Sequence, residues 1–178
     1  MGENELPIQL SFGPDTNDQG TLFRLWAPSA RQIELAVHRG VPPLNGAEAL
    51  EEGTRLGLRR EPDGWCRSER LPLGAGSRYK FRIDGDLEVP DPASRFQPEG
   101  VHGPSEVVDL RTLPGVTGPG ILGRPWEETV LYELHPGTFS PQGGYTGITG
   151  RLDYLVDLGV TAIELMPLAA FPGERNWG

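Results

Sequence analysis

The stretch that decides the fold is TLFRLWAPSARQIELAV, residues 21–37. Its first run places Phe23 and Leu25 on one side of an extended chain, with the charged Arg24 between them. Its second run repeats the pattern, with apolar side chains at every second position: Ile33, Leu35 and Val37. Alternation with a period of two is typical of strands that bury one face. The stretch therefore predicts two successive strands whose buried faces belong to one core.

The same pattern recurs as far as residue 110, between closely spaced turn signals. RYKFRI at 78–83 alternates in the same way, and the Asp84–Gly85 pair after it predicts a turn into a further short strand. A second Asp–Gly pair stands at Asp63–Gly64, and SEVVDL at 105–110 supplies another short strand. Several short strands at this spacing predict a mainly β fold, an immunoglobulin-like β-sandwich over residues 1–110.

Between these strands, residues 40–56 are predicted to form a loop that includes a short helical piece at GAEALEEG, residues 46–53. Residues 111–125 are rich in Gly and Pro and are predicted to form a linker.

The remaining residues, 126–178, have a different pattern. TVLYELH at 129–135 and TAIELMP at 161–167 are nearly continuous apolar runs, which favours strands of a parallel sheet. Between them, GITGRLDYLVDLG at 147–159 has helical spacing and a stop at Gly159, and its two glycines favour a late start near Thr149. This order predicts one β-α-β unit, the first of an incomplete (β/α)8 barrel.

Composition excludes several classes of function. A net charge of −9 without a basic cluster disfavours nucleic-acid binding, and no apolar run is long enough to span a membrane. A single cysteine, Cys66, and no apolar leader favour a soluble, cytoplasmic protein. The three histidines have no ligand-like spacing, so we expect no metal site.

Several motifs resemble one family of glycoside hydrolases. FRLWAPSARQIEL at 23–35 resembles the N-terminal sandwich domain of branching, debranching and trehalose-releasing enzymes, and residues 130–178 resemble the opening of an α-amylase-type barrel. VPDPASRFQPEGVHGPSEVVD at 89–109 and ELMPLAAFPGERNWG at 164–178 resemble the malto-oligosyltrehalose trehalohydrolase family in particular.

The resemblance implies a retaining glycosidase that releases trehalose from maltooligosyl-trehalose, with an aspartate nucleophile and a glutamate acid roughly 5 Å apart. In the family these carboxylates lie on later barrel strands, so we expect no catalytic residue in this chain and no activity from it alone. The resemblance implies no cofactor; the expected partners are a maltooligosaccharide or maltooligosyl-trehalose and the rest of the barrel. The alternatives are a fragment of a 1,4-α-glucan branching or debranching enzyme, and a non-catalytic α-glucan-binding module.

Candidate substrate-binding residues are those placed at the carboxyl ends of the barrel strands, where such barrels form their sites. They are His135, Asn176 and Trp177. For His135 a structural hydrogen bond is the favoured interpretation, ahead of a substrate contact. Two acids within the strands, Glu133 and Glu164, are interpreted as structural because catalytic residues belong at strand ends.

Two tryptophans and one Pro-rich loop also lie within residues 1–110. Trp26 and Trp65 could stack on a sugar, but their places beside strands favour the sandwich core. The Pro-rich stretch at 90–107 is predicted to be a rigid loop held against the barrel of the same chain.

Overall fold

In the computed structural model, the residues whose structure is described are 12–113, 124–168 and 171. The chain divides into two compact units, Met1–Pro114 and Gly115–Gly178. The mainly β character predicted from the alternating pattern is confirmed.

The first unit contains nine strands and a short 3-10 helix, Leu110–Thr112, among its described residues. The strands are β1 (Asp15–Asn17), β2 (Gly20–Trp26), β3 (Ile33–Arg39), β4 (Arg55–Gly57), β5 (Arg59–Arg60), β6 (Trp65–Leu71), β7 (Arg78–Ile83), β8 (Leu87–Val89) and β9 (Ser105–Glu106).

These strands form two antiparallel sheets that share one core. The first sheet has the order β1-β2-β6-β5; the second has the order β4-β3-β7-β8, with β9 also pairing with β7. The buried side chains come from both sheets and from two loop positions: Phe23, Leu25, Ile33, Leu35, Val37, Cys66, Leu73, Tyr79, Phe81 and Val107. The predicted sandwich is therefore present, and the alternating positions of residues 21–37 supply half of its core.

Aromatic rings occupy the centre of this core. The rings of Phe23 and Tyr79 lie 4.6 Å apart between centroids, in an edge-to-face arrangement. Phe81 packs edge-to-face on Tyr79 at 5.7 Å. Since β2 and β7 belong to different sheets, this row of rings joins the two sheets.

The prediction of a short helical piece at residues 46–53 is wrong. Residues 46–53 contain a turn at their carboxyl end and no helix, because that end is bound to β3. Gly53 donates its N–H to the carbonyl of Val37, and Val37 donates to the carbonyl of Thr54, which ties this end to β3. The strand predicted over SEVVDL is also shorter than expected, since it is limited to β9.

The second unit has a parallel pair of strands, β10 (Leu131–Leu134) and β11 (Ala162–Leu165), after a 3-10 helix at Trp126–Glu128. Two short helices connect the strands, α1 (Gly144–Thr149) and α2 (Leu152–Asp157). The β-α-β order is as predicted, although an eight-stranded barrel requires six more strands than these. Most of the predicted linker, residues 114–123, lies outside the described residues.

The helical segment differs from the sequence prediction at its start and in its middle. It begins at Gly144 rather than near Thr149, and it is interrupted at Gly150 and Arg151. The predicted stop is correct, because Gly159 at φ 90° closes a Schellman motif: Gly159 donates to the carbonyl of Val156, and Val160 to that of Leu155.

One face of the β10–β11 pair is covered by the helices. Its small core is Leu134, Ile148 and Leu155, with Tyr132, Phe139, Val160, Ile163 and Leu165 packed around it. Leu152 and Leu158, which share the helical spacing, are exposed. On the uncovered face of the sheet, Leu131 is 48% exposed.

The two glycines of the helical segment have different roles, which a substitution can separate. A Cβ added at the buried Gly147 would clash with Ser140 Oγ, whereas one added at Gly150 would meet nothing closer than 3.5 Å. We expect Gly147→Ala to destabilise the second unit by about 1–3 kcal/mol through overpacking. Gly150→Ala, at a helical φ of −67°, is expected to stabilise it by up to about 1 kcal/mol.

Hydrogen exchange of the β10 and β11 amides measures both effects. The matched control is the double variant Ser140→Ala/Gly147→Ala, which removes the clashing hydroxyl and should recover most of the loss. Equal effects of Gly147→Ala and Gly150→Ala would contradict the assignment of Gly147 as a packing glycine.

Candidate functional site

The carboxyl end of β10 holds the one sequence-predicted site residue whose structure is described. His135 directly follows β10 and is half-buried. Its Nδ1 accepts a hydrogen bond from the N–H of Gly137 at 3.0 Å. In the neutral imidazole the proton is then on Nε2, which leaves one N–H for a further acceptor. The ring thus has a structural bond at Nδ1 and, among the described residues, no acceptor for its Nε2 proton, so both interpretations of His135 stand.

The other two candidates, Asn176 and Trp177, lie outside the described residues, which near the β11 end include only Leu168 and Phe171 beyond Pro167. Their proposed contact with substrate stays a prediction.

The two strand acids are neighbours in the second unit. Glu133 and Glu164 are register partners across the parallel β10–β11 pair, and both side chains are exposed. Because Leu134 and Leu165 pack into the small core, alternation places both acids on the face that the helices leave uncovered. Like charges directly opposite each other destabilise a sheet, so this pair favours a cationic neighbour on that face.

A second candidate site is an open cleft of about 520 Å³ in the first unit. It lies between the end of β2, the end of β7 and the loop that follows β8. Its lining is mostly apolar: Leu25, Trp26, Ala27, Ile83, Val89, Pro90, Asp91, Pro92, Ser94, Gln97 and Val101. A cleft of this size falls in the range of ordinary ligand sites, roughly 300–1,000 Å³.

The prediction that Trp26 belongs to the sandwich core is wrong. Trp26 is 58% exposed and not part of the core, because it is the last residue of β2 and alternation turns it to the side opposite Leu25. Trp65 is half-buried, with the ring of Phe12 at 5.7 Å and the guanidinium of Arg67 at 5.7 Å. The two tryptophans are therefore surface or rim residues of the sandwich.

Asp91 anchors the floor of the cleft. It is 3% exposed, and its carboxylate accepts hydrogen bonds from the Tyr79 hydroxyl at 2.6 Å and from the N–H of Ala93 at 2.7 Å. Its own N–H donates to Ser105 Oγ at 2.9 Å. Burial raises the pKa of Asp91, against the opposing effects of these donors and of Arg95. Burial and the charge of Asp91 raise the pKa of Tyr79.

The Pro-rich loop is held against the sandwich itself. Besides Asp91, Arg95 donates to the carbonyls of Phe12 and Pro14, and Glu106 in β9 donates to the carbonyl of Phe96. Rigidity was predicted, but its partner among the described residues is the sandwich, where the sequence pattern pointed to the barrel. The sequence signal for this site was the density of Pro and turn residues beside Asp91.

The described residues hold neither a cluster of metal ligands nor a membrane-spanning helix. In the ranges 12–113 and 124–168, no three His, Cys, Asp or Glu side chains come close enough together to bind a metal ion. Over the same part of the chain, no helix has the length and apolar character needed to cross a membrane.

Comparison with known proteins adds the family. No protein-family model matches the chain. The malto-oligosyltrehalose trehalohydrolase of Deinococcus radiodurans is 43% identical over 170 residues, which is 96% of this chain and 26% of that protein. The protein of the same name from Saccharolobus solfataricus is 39% identical over 95% of this chain and 28% of its own length.

The chain is homologous to a segment of the malto-oligosyltrehalose trehalohydrolases. It spans about a quarter of the length of these relatives. The family resemblance drawn from residues 89–109 and 164–178 is thereby confirmed. A 1,4-α-glucan branching enzyme of Bordetella pertussis is less similar, at 31% identity over 89% of this chain and 22% of that enzyme.

Solved structures agree on the fold. A putative α-amylase from Salmonella typhimurium superposes with a TM-score of 0.74 at 36% identity, over 94% of this chain and 26% of that one. A pullulanase from Anoxybacillus, solved with maltotetraose, gives a TM-score of 0.64 at 23% identity over 89% of this chain and 25% of its own. The latter shows the fold alone.

Proposed function

We propose that this chain forms the β-sandwich and the first strand–helix–strand unit of a glycoside hydrolase that releases trehalose from maltooligosyl-trehalose. The observation that carries the proposal is the 43% identity, over nearly the whole chain, with a protein named for that reaction. A branching enzyme is the second candidate, and the 31% identity with one such enzyme supports it less strongly.

In this proposal the chain contributes to substrate binding and to the framework of the site, and the reacting carboxylates come from outside it. Retaining hydrolysis needs a nucleophile and an acid held on either side of the scissile bond. Glu133 and Glu164 lie third among the four residues of their strands, side by side on one face. That arrangement supports a structural role in the barrel interior.

At the strand ends, His135, Asn176 and Trp177 are the proposed substrate contacts. The half-buried imidazole of His135 keeps its Nε2 proton for a sugar hydroxyl, because Nδ1 is bound to Gly137. Trp177 offers an aromatic face and Asn176 an amide, which suit the apolar and hydroxyl-bearing sides of a pyranose ring.

A chimera tests the proposal. The homologous segment of the Deinococcus radiodurans trehalohydrolase is replaced by residues 1–178, and trehalose release from maltooligosyl-trehalose is measured. We expect activity within about tenfold of the parent, a loss of about 1.4 kcal/mol or less in transition-state stabilisation.

The matched control is the same exchange with the corresponding segment of the Bordetella pertussis branching enzyme, which should retain much less activity. A folded chimera that releases no trehalose, or that performs no better than the control exchange, would contradict the proposed function.

A further inference from the structure

The exposed Trp26 ring is fixed in place before any ligand arrives. Its indole N–H donates to the carbonyl of Asp63 at 3.3 Å, and Ala27 donates its N–H to the carbonyl of Gly64 at 3.0 Å. Gly64 permits this close approach, since a Cβ there would lie 3.1 Å from Trp26 Nε1 and its φ is 88°. An aromatic ring that is already ordered loses little conformational freedom on binding, which favours a stacking interaction.

The charge of the cleft selects the class of ligand. Among the described residues Asp91 is the single ionisable group that lines the cleft, and its two carboxylate oxygens accept hydrogen bonds from Tyr79 and Ala93. No lysine, arginine or histidine lines the cleft in the described part of the chain. Phosphates and carboxylates therefore find no counter-charge here, and a neutral ligand is favoured.

The polar groups at the cleft suit hydroxyls. Gln97 uses its Nε2 to donate to the carbonyl of Val101 at 3.3 Å, which orients its amide oxygen as an acceptor. Ser94 donates its hydroxyl to the carbonyl of Phe96 at 3.0 Å, which leaves the Ser94 oxygen as an acceptor for a sugar hydroxyl. A fixed indole face beside two acceptors in an otherwise apolar cleft matches a ring with one apolar face and a rim of hydroxyls.

We propose that this cleft is a non-catalytic binding site for a neutral α-glucan chain, with a glucose ring stacked on Trp26 and hydroxyls bound by Ser94 and Gln97. The choice of an α-glucan rests on the proposed function, whereas the neutral, ring-shaped character of the ligand follows from the cleft. The site would bind a substrate chain at a distance from the catalytic groups.

Calorimetric titration of the complete 178-residue chain with maltoheptaose tests the site. We expect saturable binding that Trp26→Ala weakens at least tenfold and Trp26→Phe weakens less, because the phenyl ring keeps a stacking face. The matched control is Trp126→Ala, which removes a tryptophan that is 78% exposed in the second unit and should leave affinity unchanged. Gln97→Ala provides a variant that leaves the aromatic framework intact and should lower affinity severalfold.

The opposite results are equally definite. No binding of maltoheptaose at millimolar concentration, or binding that Trp26→Ala and Gln97→Ala leave unchanged in folded protein, would overturn the site. Binding of an apolar dye that depends on Trp26, without binding of maltoheptaose, would identify an apolar docking surface instead. Each result can occur with an active or an inactive chimera, so failure of this site is distinguishable from failure of the proposed function.

Discussion

On its own, this 178-residue chain is expected to release no trehalose from maltooligosyl-trehalose. The described residues of the second unit include two strands, and a barrel of this type places its catalytic groups at the ends of several of eight strands. In hydrolases whose catalytic groups act as a unit, removing them costs about 10⁶-fold in kcat. A loss of that size puts the rate of the chain below detection.

The measurement is trehalose formed by purified chain over hours at high protein concentration, with the chimera as positive control. Within the chimera, Glu133→Gln and Glu164→Gln give a sharper test of the two strand acids. Each should retain activity within about tenfold, because a structural carboxylate on a barrel strand takes no part in proton transfer. Trehalose release by the isolated chain, abolished by either substitution, would show that these acids are catalytic.

Much of the sandwich could be predicted because the core side chains of β2, β3 and β7 follow the period of two. In β3 and β7 the side chains of the shared core cluster stand at alternate positions, so burying them on one face favours both the strand and its register. The short edge strands β1, β4 and β5 were not predicted, since two or three residues cannot display a period and β5 is a pair of arginines. The longer β6 was also missed, because Cys66 is the single buried residue among its seven and no alternation is visible.

In the helical segment, the spacing of apolar residues predicts burial correctly for some positions and wrongly for others. Ile148 and Leu155 are seven residues apart and both are buried, as the helical period requires. Gly150 and Arg151 interrupt the helix between them, which rotates the intervening Leu152 out of the core. The low helix propensity of glycine predicted a weakened helix. It did not predict that Gly147 packs against Ser140, because that contact exists only in the folded loop.

The candidate sites were predictable only in part. His135 was placed at a strand end because a parallel strand and its limit can be read from an apolar run. The cleft joins the end of β2 to a loop some 65 residues later, and no local pattern links Trp26 with Gln97. Burial of Trp26 was a wrong prediction, because the alternation that buries Phe23 and Leu25 turns Trp26 to the opposite side of the strand.

The stability of the sandwich is expected to depend most strongly on its aromatic row. Phe81 is fully buried and packs on the ring of Tyr79, which in turn packs on Phe23 from the other sheet. Phe81→Ala should therefore lower the free energy of unfolding of the first unit by about 3–5 kcal/mol, through lost transfer energy and the cavity left behind. The matched control on the neighbouring strand is Leu87→Ala, whose side chain is 56% exposed and whose loss should cost about 0.5 kcal/mol or less.

Hydrogen exchange shows which unit is affected, and urea denaturation gives the size of the effect. In the unsubstituted chain, amides of Leu35 and Phe81 should be more protected than those of Leu131–Leu134, because the sandwich core is enclosed by two sheets whereas helices cover one face of β10. Phe81→Ala should then remove most of the protection of the sandwich amides. Equal protection of the β10 and sandwich amides in a dilute monomer would contradict this order of stability. So would a loss of unfolding free energy after Phe81→Ala that is no larger than the loss after Leu87→Ala, because removing a buried ring leaves a cavity whereas removing an exposed side chain does not.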